Sequence, residues 1–423
     1  MDLFKTLKNA WRVPELRKKL IFTLCMFFII RIGAVITVPG INTDAVVAMM
    51  NKGGAGNLSS LMDIMTGGAF KTMALFAFGV GPYITASIIM QLLQIAITKL
   101  EELAKEGEQG RKKINKYTRY VTLGLAIIQA TATTFTLSRQ QPSVLTDNSI
   151  WTFIVVVISF VAGSMLVMWI GEQITQKGVG NGISLIIFLN IISRLPSSIK
   201  VLFQTKGYLI PIIIISLFIL VIAFVVLMAQ GERRIAVQYA KRTAGRKVYG
   251  GQSQHIPIKV NLAGVLPIIF AMSIMNFPEI ITNLVGGSTS GIWGTVLNAL
   301  RWTTTIGAII YVVLIFAFAF FYSTIAFNPI EIASNMKKGG GFIPGIRPGK
   351  PTSDYLTDVA TRITLLGAIF LATLAMIPLI FQHVFNVSIA FSGTSILIVV
   401  GVALETLKQI ESQMLMRHYK GFL

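Results

Sequence analysis

Apolar residues run through this chain in long, almost uncharged stretches, broken by short polar segments. The stretches fall at 20–38, 73–97, 118–138, 151–171, 183–203, 209–229, 262–285, 303–326, 357–381 and 390–411. Each holds enough residues, at ~1.5 Å rise apiece, to cross a ~30 Å hydrocarbon layer as a helix. They are continuous, not the alternating segments of a transmembrane barrel. The pattern therefore predicts an all-α polytopic membrane protein with ten spans. Residues 2–19 precede the first span. Leu3, Phe4, Leu7, Trp11 and Leu16 share one face there, and Lys5, Lys8, Arg12, Arg17, Lys18 and Lys19 supply the other, which predicts an interfacial helix on an anionic leaflet. Arg31 interrupts the far half of the first span.

One stretch breaks the rule. Residues 57–66 lie between Gly53, Gly54 and Gly56 on one side and Gly67 and Gly68 on the other. Leu58, Leu61, Met62 and Met65 recur at helical spacing, with Ser59, Ser60 and Asp63 between them. The segment is too short to cross a bilayer and too apolar to sit easily in water. A short helix is tolerated at membrane depth only when it is buried in protein or lines an aqueous cavity. It reads as a half-inserted element beside a pore, or alternatively as a surface helix in an outside loop.

Composition agrees with lipid as the main solvent: 54% of residues are hydrophobic and 13% charged, with a mean hydropathy of +0.72. The net charge of +20 is explained first by topology. Most Lys and Arg residues fall on one side if the N terminus, the even-to-odd loops and the tail are cytoplasmic, so both termini are expected inside. Two cytoplasmic loops are larger than topology requires. In residues 230–260, IAVQYAK and KVYGG alternate like strands around a glycine-bearing turn and predict a protruding hairpin. Residues 327–355 are too rich in Gly and Pro for a long helix and predict a stiff finger. A basic, protruding pair suits a large acidic partner; solvated linkers are the alternative.

Candidate chemistry is sparse. No acidic residue sits at the middle of a span, and no HExxH, nucleophilic triad, paired carboxylates or phosphate-binding loop occurs. The single cysteine, Cys25, and the three separated histidines give no metal-ligand spacing. No catalytic residue, metal or cofactor is expected. Mid-span polar residues such as Thr85, Ser87, Gln91, Thr131, Ser159, Ser273 and Asn276 suit interhelical hydrogen bonds, or a gate between helices. Two sets of five spans would be antiparallel, the geometry of an inverted repeat. The glycine and proline early in GVGPYITASII and in AGVLPIIFAMSI echo one another.

Three motifs then carry a resemblance: GVGPYITASIIMQLL at 79–93, WIGEQITQKGVGNGISLIIF at 169–188 and FNPIEIASNMKKGGGFIPGIRPG at 327–349. In this order and at these positions the chain resembles the SecY/Sec61-alpha family, the channel subunits of protein translocases. The resemblance implies an hourglass pore between two five-helix halves, at 20–203 and 204–411, flanked by the segment 1–19 and a tail at 412–423. It implies a plug at 57–66, including Asn57, Leu58, Leu61, Met62, Asp63 and Met65. It implies a sealing ring of Val80, Ile84, Ile187, Ile191, Ile269 and Ile398, with Val80 standing where isoleucine is frequent. A lateral gate would involve Ser87, Gln91, Ser273 and Asn276. Docking of the motor ATPase SecA or the ribosome would involve Arg246, Lys247, Lys337, Lys338 and Arg347. SecE and SecG are the implied membrane partners, signal peptides and unfolded preproteins the cargo, and the bacterial cell membrane the location. A secondary transporter for a neutral solute, or a membrane scaffold, are the competing readings of the residues themselves.

Overall fold

The computed structural model describes residues 11–46, 66–138, 144–147, 149–239, 242–244, 247–249, 253–262, 264–285, 294, 299, 304–385 and 393–418. In chain order the helices are α1 (Pro14–Gly33), α2 (Gly81–Ala96), α3 (Thr98–Lys105), α4 (Glu108–Ser138), α5 (Ile150–Lys177), α6 (Gly182–Lys206) and α7 (Leu209–Gln230). Strands β1 (Glu232–Tyr239), β2 (Arg242–Ala244), β3 (Lys247–Tyr249) and β4 (Ser253–Lys259) follow. After them come α8 (Leu266–Val285), α9 (Thr305–Ala326), α10 (Pro329–Lys338), β5 (Gly341–Phe342), α11 (Lys350–Phe385) and α12 (Gly393–His418).

A helix thus lies on every apolar run. Among the described residues six helices are both long and apolar enough to cross a membrane, the apolar parts of α4, α5, α6, α7, α9 and α11. The pair α2 and α3, bent by 101°, would make a seventh span if taken together. The chain divides into two compact units. The first contains Met1–Pro211, Asn276–Asn298 and Val402–Leu423, and the second Ile212–Met275 and Ala299–Gly401.

Several helix ends are written in the sequence. Pro14 opens α1, where its missing N–H costs nothing. Asn181 Oδ1 accepts from the N–H groups of Ile183 and Ser184 to start α6, and Ser149, Thr304 and Asn328 cap α5, α9 and α10 in the same way. Many helices outrun the hydrocarbon layer: α4 has 31 residues and α11 has 36, so their polar ends project beyond it.

The first long apolar helix, α1, begins at Pro14 after a bend at Val13 and buries Leu16 against Val179 and Ile410; residues 1–10 of the expected interfacial segment lie outside the described part. One expectation is corrected. The second span is not helical from residue 73. Residues 66–80 instead form consecutive tight turns, with Ala77 N–H bonded to Ala74 O, Gly79 to Phe76 and Gly81 to Phe78. Gly67, Gly68, Met73 and Gly79 all have positive φ, which no right-handed helix accepts. Val38 N–H bonds Met73 O and Leu75 N–H bonds Ile36 O, a strand-like tie that satisfies this backbone without a helix. The apolar residues are core all the same: Phe70, Met73 and Phe78 pack with Val38, Leu145, Val156 and Phe160.

Candidate functional site

The six ring candidates are placed unit by unit. In the first unit Val80 is buried and occupies the N-cap of α2, at the point where the turns become a helix. Ile84 sits half-buried one turn on. Phe78, whose ring centroid lies 5.0 Å from that of Phe160, anchors this junction to α5. Ile187 and Ile191, both buried, follow one another by a turn on α6. Their height is set by the α5–α6 turn. A Cβ on Gly182 would fall 1.9 Å from the Gly171 carbonyl oxygen, so the two helices approach to backbone contact. Gly182 N–H donates to Thr175 Oγ1 at 2.9 Å. Gly180 takes φ +82, and Val179 is buried with its N–H on Thr23 Oγ1. This turn is the centre of the second sequence motif, whose glycines serve close packing.

In the second unit Ile269 is half-buried on α8 beside the buried Phe270, whose ring meets Phe318 and Tyr322 of α9 edge-on. Ile398 is buried on α12. The candidates are thus all aliphatic: Val80 and Ile84, and Ile187 and Ile191, lie one turn apart in the first unit, and Ile269 and Ile398 lie on α8 and α12 of the second. Such a surface offers no hydrogen bond and dewets when it lines a constriction. Asn57, Leu58, Leu61, Met62, Asp63 and Met65 lie outside the described residues.

Of the gate candidates, Gln91 Nε2 reaches Ser87 Oγ on the same helix at 3.5 Å. Ser273 is half-buried on α8, and the side chain of Asn276 lies outside the described part. The expectation that mid-span hydroxyls bridge helices is corrected for three of them. Thr85, Thr131 and Ser159 each donate to the carbonyl four residues back on their own helix, which satisfies them in lipid without a neighbour. Ser323 of α9 and Thr364 of α11 do bridge, at 2.6 Å in a buried setting. Arg119 of α4 also pairs with Glu172 of α5 at 2.7 Å. Beyond the membrane end of α2, Glu101 accepts from Lys105 on α3 and holds that ammonium above the ordinary lysine range.

The docking candidates belong to the second unit. β1 and β4 pair antiparallel from Glu232↔Lys259 to Gln238↔Ser253, so the hairpin is longer than expected, and the expected KVYGG arm instead pairs as β3 with β2 at its tip. A feature not legible in the sequence is β5, which adds the second loop to the free edge of β1 through Gln238↔Phe342 and Tyr239↔Gly341. The second loop opens with a ten-residue helix, α10. Ile235, Val237, Ile258, Met336 and Ile343 bury together against Leu356 and Ile363 of α11. The two loops are therefore one body seated on one long helix. Lys337 and Lys338 are exposed at the C-terminal end of α10, where cations suit the helix dipole. Arg347 is exposed, and its carbonyl accepts from Thr352 Oγ1 at 2.8 Å. Lys247 is placed as backbone in β3, and Arg246 lies outside the described residues. Among the described residues no group of three His, Cys, Asp or Glu could hold a metal ion.

Comparison with known proteins adds three findings. The SecY family model matches residues 74–407. The chain is 46% identical over 432 residues to the protein translocase subunit SecY of Streptomyces scabiei, covering 98% of each chain. It is 41% identical over 428 residues to that of Thermotoga maritima, covering 100% of this chain and 98% of the relative. A solved structure described as "The structure of a protein conducting channel" superposes with a TM-score of 0.64 at 18% identity, covering 94% of this chain and 92% of the other. The Sec61 chain of a canine ribosome-channel complex gives 0.59 at 16% identity, with the same coverage. At these identities the two structures speak for the fold.

Proposed function

This chain belongs to the SecY family, and from that premise we propose how it works. It is a multi-pass bacterial membrane protein and the protein-conducting channel of the Sec translocon, a conduit with no catalytic role of its own. The observation that carries this is the match over essentially the whole chain, from the first helix to the tail. The finer reading is ours. Ten spans, in inverted halves at 20–203 and 204–411, surround the pore, and both termini are cytoplasmic. Residues 57–66 plug the outer funnel. Val80, Ile84, Ile187, Ile191, Ile269 and Ile398 form the constriction, and membrane segments leave between α2 and α8, past Ser87, Gln91, Ser273 and Asn276.

SecE and SecG complete the complex, and SecA or the ribosome supplies the drive, consistent with family membership. The basic loops receive these partners. Arg347 carries motor coupling, because an exposed guanidinium pairs bidentately with carboxylates. Arg246 and Lys247 meet ribosomal phosphates. The test is reconstitution with SecE in liposomes containing SecA, ATP and a signal-bearing precursor. ATP-dependent protection of the precursor from protease is expected, with loss of protection on Arg347→Glu. Protection that survives Arg347→Glu removes the coupling role. Saturable uptake of a small solute without protection favours the transporter reading.

A further inference from the structure

Arg31 stands in the last turn of α1, within an otherwise apolar run. A charge at that depth is costly unless polar groups hold it. Its Nη1 donates to Ser193 Oγ on α6 at 3.0 Å and to the Gly67 carbonyl at 3.4 Å. Ser193 donates its own O–H to the Asn190 carbonyl at 2.8 Å, so its oxygen is oriented to accept from the guanidinium. Gly67 is buried with φ +66. A Cβ there would lie 2.8 Å from Arg31 Nη1, 2.9 Å from Ser193 Oγ and 3.1 Å from Asn190 Cα. The next residue, Gly68, has φ +97 and lies beside the guanidinium of Arg194. Three segments of the first unit therefore converge on one peptide group. It is the Gly67–Gly68 peptide, seated on the turn of α6 that follows Ile187 and carries Ile191.

We propose that Arg31 is a positioning residue for the closed channel, a latch that fixes the chain at Gly67 against α6 beside the constriction. The inference rests on the channel reading given above. The rest of the 66–80 segment is held by buried apolar side chains such as Phe70 and Phe78, whose release would expose large surfaces to water or lipid. The Arg31 bonds differ in kind. They are charge-assisted and directional, yet a water or a polar backbone group of a passing polypeptide can replace them. A contact of that kind can break and re-form at each opening while the core stays packed.

The test uses the complete channel complex in planar bilayers, reading the resting open probability and then the conductance with an arrested precursor. Arg31→Gln is expected to raise the resting open probability about tenfold, equal to about 1.4 kcal/mol. Melting temperature and ATP-driven translocation are expected to stay near those of the unsubstituted complex. Ser193→Ala is expected to give a smaller rise, and Arg31→Lys, which keeps the charge and loses the planar fork, an intermediate one. Unchanged resting behaviour in both Arg31→Gln and Ser193→Ala overturns the latch. So does a parallel loss of melting temperature and translocation, which marks a merely structural role. If Arg31→Gln fails to assemble, Ser193→Ala and Arg31→Lys decide on the same criteria. An unsubstituted complex that never conducts, even with the arrested precursor, overturns the channel reading and the latch with it.

Discussion

Gly182 and Gly124 are both glycines on helices, and they have opposite tasks. Gly182 lets α6 touch the Gly171 carbonyl, whereas the space beyond Gly124 is open for 4 Å around a prospective Cβ. Gly182→Ala should destabilise the protein by about 3 kcal/mol, because backbone must move against backbone. Gly124→Ala should be neutral or stabilising by about 0.5–1 kcal/mol, since it only removes chain freedom from the unfolded state. Thermal melting of the two variants in detergent, side by side, checks both signs. The sequence displayed GVGNG as a motif but could not distinguish glycines that serve close packing from glycines that serve flexibility. That distinction depends on which backbone lies opposite. Arg31 was legible as an anomaly in an apolar run, but its partners are 36 and 162 residues away and no local pattern names them. The same limit applies to Val80, Ile187 and Ile398, which stand out among many aliphatic residues only through the family resemblance.

Between helices and strands, periodicity found the long apolar helices and misread the stretch at 73–80. Residues 73–80 are as apolar as a span, yet positive-φ positions and a strand-like tie to residues 36–38 hold them in turns. Hydrophobicity reports burial, and it identifies the conformation only when glycine and proline do not intervene. The loops at 230–260 and 327–355 show the converse. Each was legible separately, but their union through β5 on β1 was not, because a two-residue strand leaves no periodic signal. A Cβ on Gly341 would lie 2.9 Å from the Tyr239 ring, so Gly341→Val should push the finger off β1. The expected result is a several-fold fall in SecA-driven translocation with unchanged resting conductance, read in liposomes and planar bilayers respectively. Where the ends of α4 and α5 meet, Glu172→Gln should cost about 1 kcal/mol, since Glu172 is mostly covered while its partner Arg119 is about half exposed. A double-mutant cycle with Arg119→Gln isolates that coupling.

For the whole molecule, the proposed function makes the chain a passive conduit: on that reading the net charge of +20 orients it in the membrane, and the basic loops, joined into one body on α11, receive the driving partner. Its central claim is that a translocating polypeptide passes the aliphatic positions assigned to both halves. Cys25 is the only cysteine, so a Cys25→Ser background gives a clean probe. The decisive measurement is disulfide capture of an arrested, single-cysteine precursor by cysteines placed one at a time at Ile187, Ile269 and Ile398, with the exposed Leu220 of α7 as the lipid-facing reference. The account predicts adducts at all three positions and none at Leu220. Adducts confined to Leu220, or to only one half of the chain, would contradict it.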